Sequence, residues 1–235
     1  MEKGVPGMNK KSVSLMIQKA LQEGRNTLSE YESKQVLAAY QIPVTQEILV
    51  RKRGDVKKAA RDIGYPLVMK GCAAEIAHKT ERGLIHVDLR SDREALRAFD
   101  EIIDGMSGQG GDVLIQQMIR GRRELVVGLT RDDQFGPCVM FGLGGIFTEI
   151  LRDVSFRRAP LEKSDAFAML KEIKGHGILD AVRGMDAADK DQLADILIRV
   201  GQIGLDIDHV REIDLNPVIL SGSSPVVVDA LIILA

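Results

Sequence analysis

The sequence predicts an α+β fold divided into two subdomains. Short strands alternate with helical segments before residue 107, a glycine-rich stretch follows at Ser107–Gly111, and strands with a side-chain period of two dominate the region after it. We therefore predict an N-terminal helical extension over residues 1–26, a first subdomain over 27–110 and a second subdomain over 111–235.

Segments before the glycine-rich stretch are assigned from apolar spacing and from helix start and stop signals. Ser29 with Glu32, and Ser91 with Glu94, match the S-x-x-E capping box that opens a helix. Pro43 favours an extended exit from the second helix. The predicted helices are 13–21, one beginning at 29, 55–63 and 91–106, and the predicted strands are 44–50, 66–71 and 84–89.

Segments after the glycine-rich stretch are mostly strands. The predicted strands are 113–118, 124–130, 137–143, 146–152 and 154–159, followed by helices 163–173 and 187–205. Two further strands, 211–220 and 225–231, close the chain, and a hairpin through Ser221–Ser224 joins them.

Composition excludes several classes of function. The chain has 235 residues, of which 45% are hydrophobic and 28% charged, as in soluble globular proteins. A net charge of −2 gives no general attraction to nucleic acid or to anionic membranes, and 4% aromatic residues disfavour a base-stacking platform. No apolar run approaches a membrane span, so we expect a cytoplasmic protein with neither nucleic-acid nor membrane partners. Cys72 and Cys138 fit no zinc spacing.

An acidic row lies in the predicted strand REIDLNPVIL. The period of two directs Glu212, Asp214 and Asn216 to one face. Neighbouring carboxylates repel each other unless a cation lies among them, and hard oxygen ligands of this kind suit Mg²⁺. The hairpin would set Asp229 beside the row. The pattern alone leaves three equivalent ligands, and the competing interpretation is a solvated acidic face.

Other residues suited to phosphate chemistry are scattered along the chain. Lys34 and Lys70 are candidates because a lysine at the end of an apolar strand, as at Lys70, needs an anionic partner unless it reaches solvent. The turn Phe141–Gly145 allows close backbone approach to a phosphate but fits neither dinucleotide nor P-loop motifs. Arg157 could bind phosphate or lie on the surface. His78, on a polar loop, could accept a phosphoryl group or be an ordinary surface histidine.

Taken together, these segments resemble the ATP-grasp β subunits of ADP-forming acyl-CoA (acetyl-CoA) synthetases. The resemblance runs from about Leu28 to the C-terminus, and its most specific block is Glu124–Leu161. The other blocks are SKQVLAAYQIPV, YPLVMKGCAAEIAHKTERG, VLIQQMIRGRRELVVG, and EIDLNP with VVVDA. It implies an ATP-grasp fold, in which two α/β subdomains clasp a nucleotide between antiparallel sheets.

The resemblance implies a nucleotide-binding role for residues that match the family's motifs. Lys34 and Lys70 would hold the ATP phosphates, and Glu124 would bind the ribose hydroxyls. Gly144 and Gly145 would lie near the transferred phosphoryl group. The hinge segment that reads adenine through its backbone would be Gln116, Gln117, Met118 and Ile119.

The resemblance also separates the members of the acidic row. Asn216 and Asp229 would be the Mg²⁺ ligands, while Asp214 would either join the metal or orient an incoming phosphohistidine. Glu212 becomes a supporting residue. His78 matches the histidine of the family's His-Lys motif, which implies a second phosphohistidine that carries phosphate toward ADP.

The implied activity is phosphoryl transfer between a phosphohistidine and ADP or ATP, coupled to acyl-CoA cleavage. An α subunit with the CoA-binding and acyl-CoA domains would be the partner, in an α2β2 assembly. Two alternatives stay open: a free-standing ATP-grasp carboxylate ligase, and a regulatory nucleotide-binding module without catalysis.

Overall fold

The structure, a computed structural model, describes residues 9–72, 83–106, 111–145, 153–182 and 184–235. Over these residues the helices are α1 Lys10–Gln22, α2 Glu30–Ala39, α3 Val56–Ile63, α4 Asp92–Gly105, α5 Lys163–Glu172 and α6 Lys190–Asp206. The strands are β1 Glu47–Val50, β2 Leu67–Cys72, β3 Ile85–Leu89, β4 Asp112–Gln117, β5 Glu124–Asp132, β6 Gly136–Leu143, β7 Val154–Arg158, β8 Val210–Ser221, β9 Ser224–Val227 and β10 Leu231–Leu234. None of the described helices is long and apolar enough to cross a lipid bilayer.

Two compact units make up the described chain. The N-terminal unit contains Ser29–Tyr31 and Thr45–Met118, and the C-terminal unit contains the chain up to Leu28, Glu32–Val44 and Ile119–Ala235. This division differs from the predicted boundaries at residues 26 and 110. The physical reason is that α1 and most of α2 bury their apolar faces, including Val13, Ile17, Val36 and Leu37, in the core of the C-terminal unit.

The N-terminal unit is an antiparallel sheet with strand order β1-β4-β2-β3 and two helices, α3 and α4, packed on it. Its core takes Ala95, Ala98, Phe99 and Ile102 from α4, which is the spacing of one helix face. The predicted cap at Ser91 is confirmed, because its side chain accepts a hydrogen bond from the Glu94 N–H at 3.3 Å. The Glu94 carboxylate in turn accepts from the preceding N–H, that of Arg90, at 2.8 Å.

The C-terminal unit is built on an antiparallel sheet with strand order β10-β8-β5-β6-β7, in which β9 also pairs with β8. Helices α5 and α6 pack against it. The hairpin turn predicted between 221 and 224 is confirmed, since Ser221 pairs with Ser224. The C-terminal end of the predicted strand 225–231 is wrong, because β9 stops at Val227 and a separate strand, β10, begins at Leu231.

The remaining predicted elements lie within a few residues of the observed ones, where the structure describes them. The predicted strand 146–152 and most of the glycine-rich stretch, 107–110, lie outside the described residues.

Two arginines hold the C-terminal unit together through backbone carbonyls. Arg131 donates to the carbonyls of Gly204 at 2.5 Å and Ile207 at 3.1 Å, at the C-terminus of α6, where carbonyls lack helical partners. Arg123 is only 3% exposed. It donates four hydrogen bonds to carbonyls, those of Ile178, Asp180, Asp186 and Gly222.

We expect Arg123→Met to lower the free energy of unfolding by about 2–4 kcal/mol, because four backbone carbonyls lose a donor at once. Urea denaturation followed by circular dichroism measures this loss. The control is Arg122→Met, which changes an exposed neighbour and should leave the free energy of unfolding within about 0.5 kcal/mol of that of the unchanged protein. Equal effects of the two substitutions would contradict a stabilising role for the hydrogen bonds of Arg123.

Candidate functional site

The acidic row of β8 has the alternation that the sequence predicts. Glu212, Asp214 and Asn216 are exposed, while Ile213 and Leu215 are buried in the core. Since β8 pairs with β5 along one edge and with β9 and β10 along the other, both edges fix which face each side chain occupies.

An irregularity in β8 coincides with Asn216. Leu125 of β5 pairs with Val218, but Val127 pairs with Leu215, so Asn216 and Pro217 together stand opposite one residue of β5. This is the two-against-one arrangement of a β-bulge, a feature that re-aims side chains near functional sites.

Asp229 comes next to Asn216 through the other edge of β8. Val227 pairs with Val218 and Leu231 pairs with Asp214, so the register on both sides of the interruption sets Asp229 opposite Asn216. The Val228 N–H donates to the Pro217 carbonyl at 3.0 Å, which holds this stretch against the bulge. The structure thus brings together the two residues predicted as metal ligands.

The Asp214 carboxyl has a raised pKa. Desolvation is the larger cause, and the negative charge of Asp229 is the second. The side chain is accessible to solvent, but surrounding protein atoms still remove part of its hydration, so accessibility and desolvation occur together. Bringing a cation to this face would relieve the repulsion between the two carboxylates.

The donor chemistry of this cluster fits Mg²⁺ rather than a softer metal. It offers two carboxylates, Asp214 and Asp229, and the Asn216 amide, and Mg²⁺ prefers oxygen ligands while keeping several waters. In the part of the chain that the structure describes, no group of three or more His, Cys, Asp or Glu residues forms a metal cage. An ion here would therefore need further oxygens from water or substrate.

Glu124 and the glycines after β6 form a second group in the C-terminal unit. The Gly144 N–H donates to the Glu124 carbonyl at 2.8 Å. A Cβ on Gly145 would lie 2.8 Å from Oε2 of Glu124, and Gly145 has a φ of +63°. The conformation therefore favours glycine at 145, and an added Cβ would displace the Glu124 carboxylate. The predicted loop residues lie against the predicted ribose ligand.

Glu124 and Asp214 lie on the same face of the sheet. Asp214 pairs with Gly128, and antiparallel partners point their side chains to the same side. Glu124 is an even number of residues from Gly128 along β5 and shares that face. Glu124 is four residues from Gly128 at about 3.4 Å per residue, and Asp214 lies about 4.8 Å across on the next strand, so the two positions are roughly 14 Å apart.

The predicted hinge segment lies where the chain leaves the N-terminal unit. Gln116 is fully buried and Gln117 exposed at the end of β4, and the N–H of Gln117 donates to the Gln46 carbonyl at 2.9 Å. Met118 is the last residue of the N-terminal unit and Ile119 the first of the stretch that enters the C-terminal unit.

Lys70 has a partner that the sequence did not point to. Its ammonium lies 2.7 Å from Oε1 of Glu30, and the two side chains are only 5% and 1% exposed. Glu30 is the first residue of α2, 40 positions away in sequence. The sequence left open whether Lys70 meets an anion or reaches solvent, and it did not indicate which carboxylate lies beside it.

The other predicted residues are placed less favourably for phosphate binding. Lys34 is fully buried in α2. Arg157 forms a two-pronged ion pair with Glu172 of α5, with one bond of 2.9 Å, and this bonding raises the pKa of the Arg157 guanidinium. His78 lies outside the described residues.

We expect Asp214→Asn to stabilise the Mg²⁺-free protein at neutral pH. A carboxyl whose pKa is raised in the folded state lowers the stability of the protein as pH rises from below its ordinary value of 3.8 through the folded-state pKa. The amide avoids this loss, so the gain should vanish below about pH 3.8.

Denaturation in EDTA across pH 3–8 measures this gain. The matched control is Asp133→Asn in the exposed β5–β6 turn, for which we expect no gain. A variant less stable than the unchanged protein at pH 7, or a gain that persists at pH 3, would contradict the raised pKa of Asp214.

Comparison with known proteins shows the family to which this chain belongs. The family model of the ATP-grasp domain matches residues 19–234. The β subunit of acetate–CoA ligase (ADP-forming) I from Pyrococcus furiosus is 42% identical over 224 residues, which cover 93% of this chain and 96% of that protein.

Solved structures agree with this assignment. Acetyl-coenzyme A synthetase 1 of Ca. Korarchaeum cryptofilum, in complex with coenzyme A, Ca-AMPCP and HgCl⁺, has a TM-score of 0.91 and 41% identity over 95% of this chain and 100% of that chain. A complex of the same enzyme with coenzyme A and Mg-AMPPCP, whose phosphohistidine segment points toward the nucleotide-binding site, has a TM-score of 0.86 and 42% identity over the same shares. The chain therefore belongs to the ATP-grasp family and, within it, to the β subunits of ADP-forming acetate–CoA ligases.

Proposed function

We propose that this chain is the nucleotide-binding β subunit of an ADP-forming acyl-CoA synthetase. It transfers a phosphoryl group between a phosphohistidine and ADP or ATP, and so couples acyl-CoA cleavage to ATP synthesis. The observation that carries the proposal is the oxygen cluster of Asp214, Asn216 and Asp229, on the same sheet face as Glu124, in a chain that belongs to this family.

Asn216 and Asp229 hold Mg²⁺ in this proposal. When bound, the ion supplies positive charge to the β- and γ-phosphate oxygens, which complete its coordination. The register that sets Asp229 opposite Asn216 supports this assignment, as does the oxygen-only donor set. Asp214 helps to hold the ion or orients the incoming phosphohistidine.

The nucleotide extends along the exposed face of the C-terminal sheet. Glu124 accepts the ribose hydroxyls, and the Gly144–Gly145 turn approaches the transferred phosphoryl group. The separation of roughly 14 Å between Glu124 and Asp214 suits an extended nucleotide that reaches from ribose to terminal phosphate. The backbone of Gln116, Gln117, Met118 and Ile119 reads the adenine.

Lysines and an arginine complete the phosphate contacts. Lys70, held by Glu30, is the best supported of them because its strand position and its ion pair fix the ammonium. Lys34 and Arg157 take part only if the interior around Lys34 admits a phosphate and if Glu172 releases Arg157.

His78 carries the phosphoryl group toward ADP. The N–P bond of the phosphohistidine breaks as an oxygen of the ADP β-phosphate forms a bond to phosphorus, which leaves ATP and a free imidazole. The reverse transfer phosphorylates the histidine from ATP.

The partner is an α subunit that carries the CoA-binding and acyl-CoA domains. The name of the Pyrococcus furiosus relative, a subunit beta, supports a second chain. We propose an α2β2 assembly.

Co-purification with the candidate α subunit tests the function. We expect the complex to form ATP from ADP and phosphate when acetyl-CoA and Mg²⁺ are supplied. His78→Ala should abolish this activity and the acid-labile phosphate that labelled ATP leaves on this chain, whereas His209→Ala, an exposed control, should retain both. Absence of ATP formation by the assembled complex would overturn the function, and labelling that survives in His78→Ala would overturn the relay alone.

We expect Gly145→Ala to raise the KM for ADP about tenfold, because its Cβ displaces the Glu124 carboxylate by which the ribose is held. The control is Gly136→Ala, where φ is +74° and no atom lies within 4 Å of the added Cβ. Both substitutions strain the backbone by about 1–2 kcal/mol, so only a nucleotide effect separates them. Equal KM values for the two variants would contradict the role of the contact.

A further inference from the structure

The buried ion pair of Lys70 and Glu30 lies entirely within the N-terminal unit. Lys70 is on β2, an inner strand of the sheet, and pairs with Leu114 on one side and Ile85 on the other. Its backbone position is therefore fixed by two neighbouring strands. A long lysine side chain on such a strand still has several rotatable bonds, so the strand alone does not fix its ammonium.

Glu30 restricts the ammonium further. The distance of 2.7 Å from Lys70 Nζ to Glu30 Oε1 is that of a charge-assisted hydrogen bond. An ammonium has three tetrahedral N–H donors, and fixing the direction of one confines the directions of the other two. Glu30 is itself confined, because it begins α2 and its side chain is 1% exposed.

The position of Glu30 at the start of α2 is also favourable for a carboxylate. A carboxylate in the first turn of a helix is stabilised by the N–H groups and the dipole at that end. The pair therefore behaves as a fixed plus–minus unit in a place where a single charge would be costly.

We propose that Glu30 is a positioning residue for nucleotide binding, which aims the Lys70 ammonium at the nucleotide's β- and γ-phosphates. The inference rests on the proposed function, in that it takes Lys70 as a phosphate ligand. Glu30 does not touch the nucleotide in this arrangement. Its loss should weaken recognition of the phosphates and leave recognition of the nucleoside unchanged.

The test compares three ligands on the full chain assembled with its α subunit: ATP, ADP and adenosine, each with Mg²⁺. For Glu30→Gln we expect the dissociation constants of ATP and ADP to rise about tenfold or more, with no change for adenosine. Glu30→Asp keeps the charge one methylene shorter and should recover part of the affinity. KM for ADP should rise more than kcat falls, because positioning acts on binding.

Glu32→Gln is the matched control. Glu32 lies on the same helical turn, and its carboxylate accepts hydrogen bonds from Arg25 at 2.9 and 3.0 Å. This substitution also removes an ion pair, so it should lower thermal stability without changing the difference in affinity between ATP and adenosine.

A double variant covers the case in which Glu30→Gln folds poorly. Glu30→Gln with Lys70→Met removes both charges of the pair, and we expect it to bind ADP no more weakly than Lys70→Met alone, because Glu30 acts on the nucleotide only through Lys70. The inference is overturned if Glu30→Gln binds all three ligands like the unchanged protein, if it weakens all three equally, or if the double variant binds ADP more weakly than Lys70→Met. Failure of the unchanged complex to bind ATP or ADP would overturn the proposed function itself.

Discussion

The register of β8 is the constraint on which the candidate site depends. This strand is paired on both edges, with β5 on one side and with residues 224–234 on the other. A slip by one residue would turn Ile213 and Leu215 to the outer face and bury Glu212 and Asp214 in the core. The hydrophobic effect therefore fixes the register, and the placement of the oxygen ligands follows from the packing of the core on the opposite face.

The same pairing explains why the second group of residues lies where it does. β5 runs beside β8, so Glu124 at its start shares a sheet face with Asp214. β6 returns beside β5 and pairs Leu143 with Leu125, which brings Gly144 and Gly145 back to Glu124. Residues far apart in sequence thus reach one surface through antiparallel neighbours alone.

Local patterns in the sequence were sufficient where one element decides the outcome. The alternation along β8 and the cap at Ser91 both depend on a few adjacent residues, and both were predictable. The interruption between β9 and β10 was not, because PVVVDALIIL is nearly continuous in apolar character and the break lies opposite a bulge in the partner strand. The packing of α1 and α2 in the C-terminal unit was not predictable either, since an apolar helix face does not specify which core it joins.

The pair of Lys70 and Glu30 raises an electrostatic question, because a carboxylate beside a phosphate-binding lysine also repels the phosphate. Geometry decides it. A phosphate oxygen bound to a second N–H of the ammonium would lie about 2.8 Å from Nζ and about 4.5 Å from the Glu30 oxygen, because the N–H directions are tetrahedral and that oxygen is 2.7 Å from Nζ. Since the energy between charges falls as the inverse of distance, attraction exceeds repulsion by a factor of about 1.6 at equal screening. The carboxylate therefore reduces the attraction without reversing it, and in return it directs the ammonium. On the outer face of the C-terminal sheet, by contrast, Asp214 and Asp229 repel each other, and an added cation would relieve that repulsion.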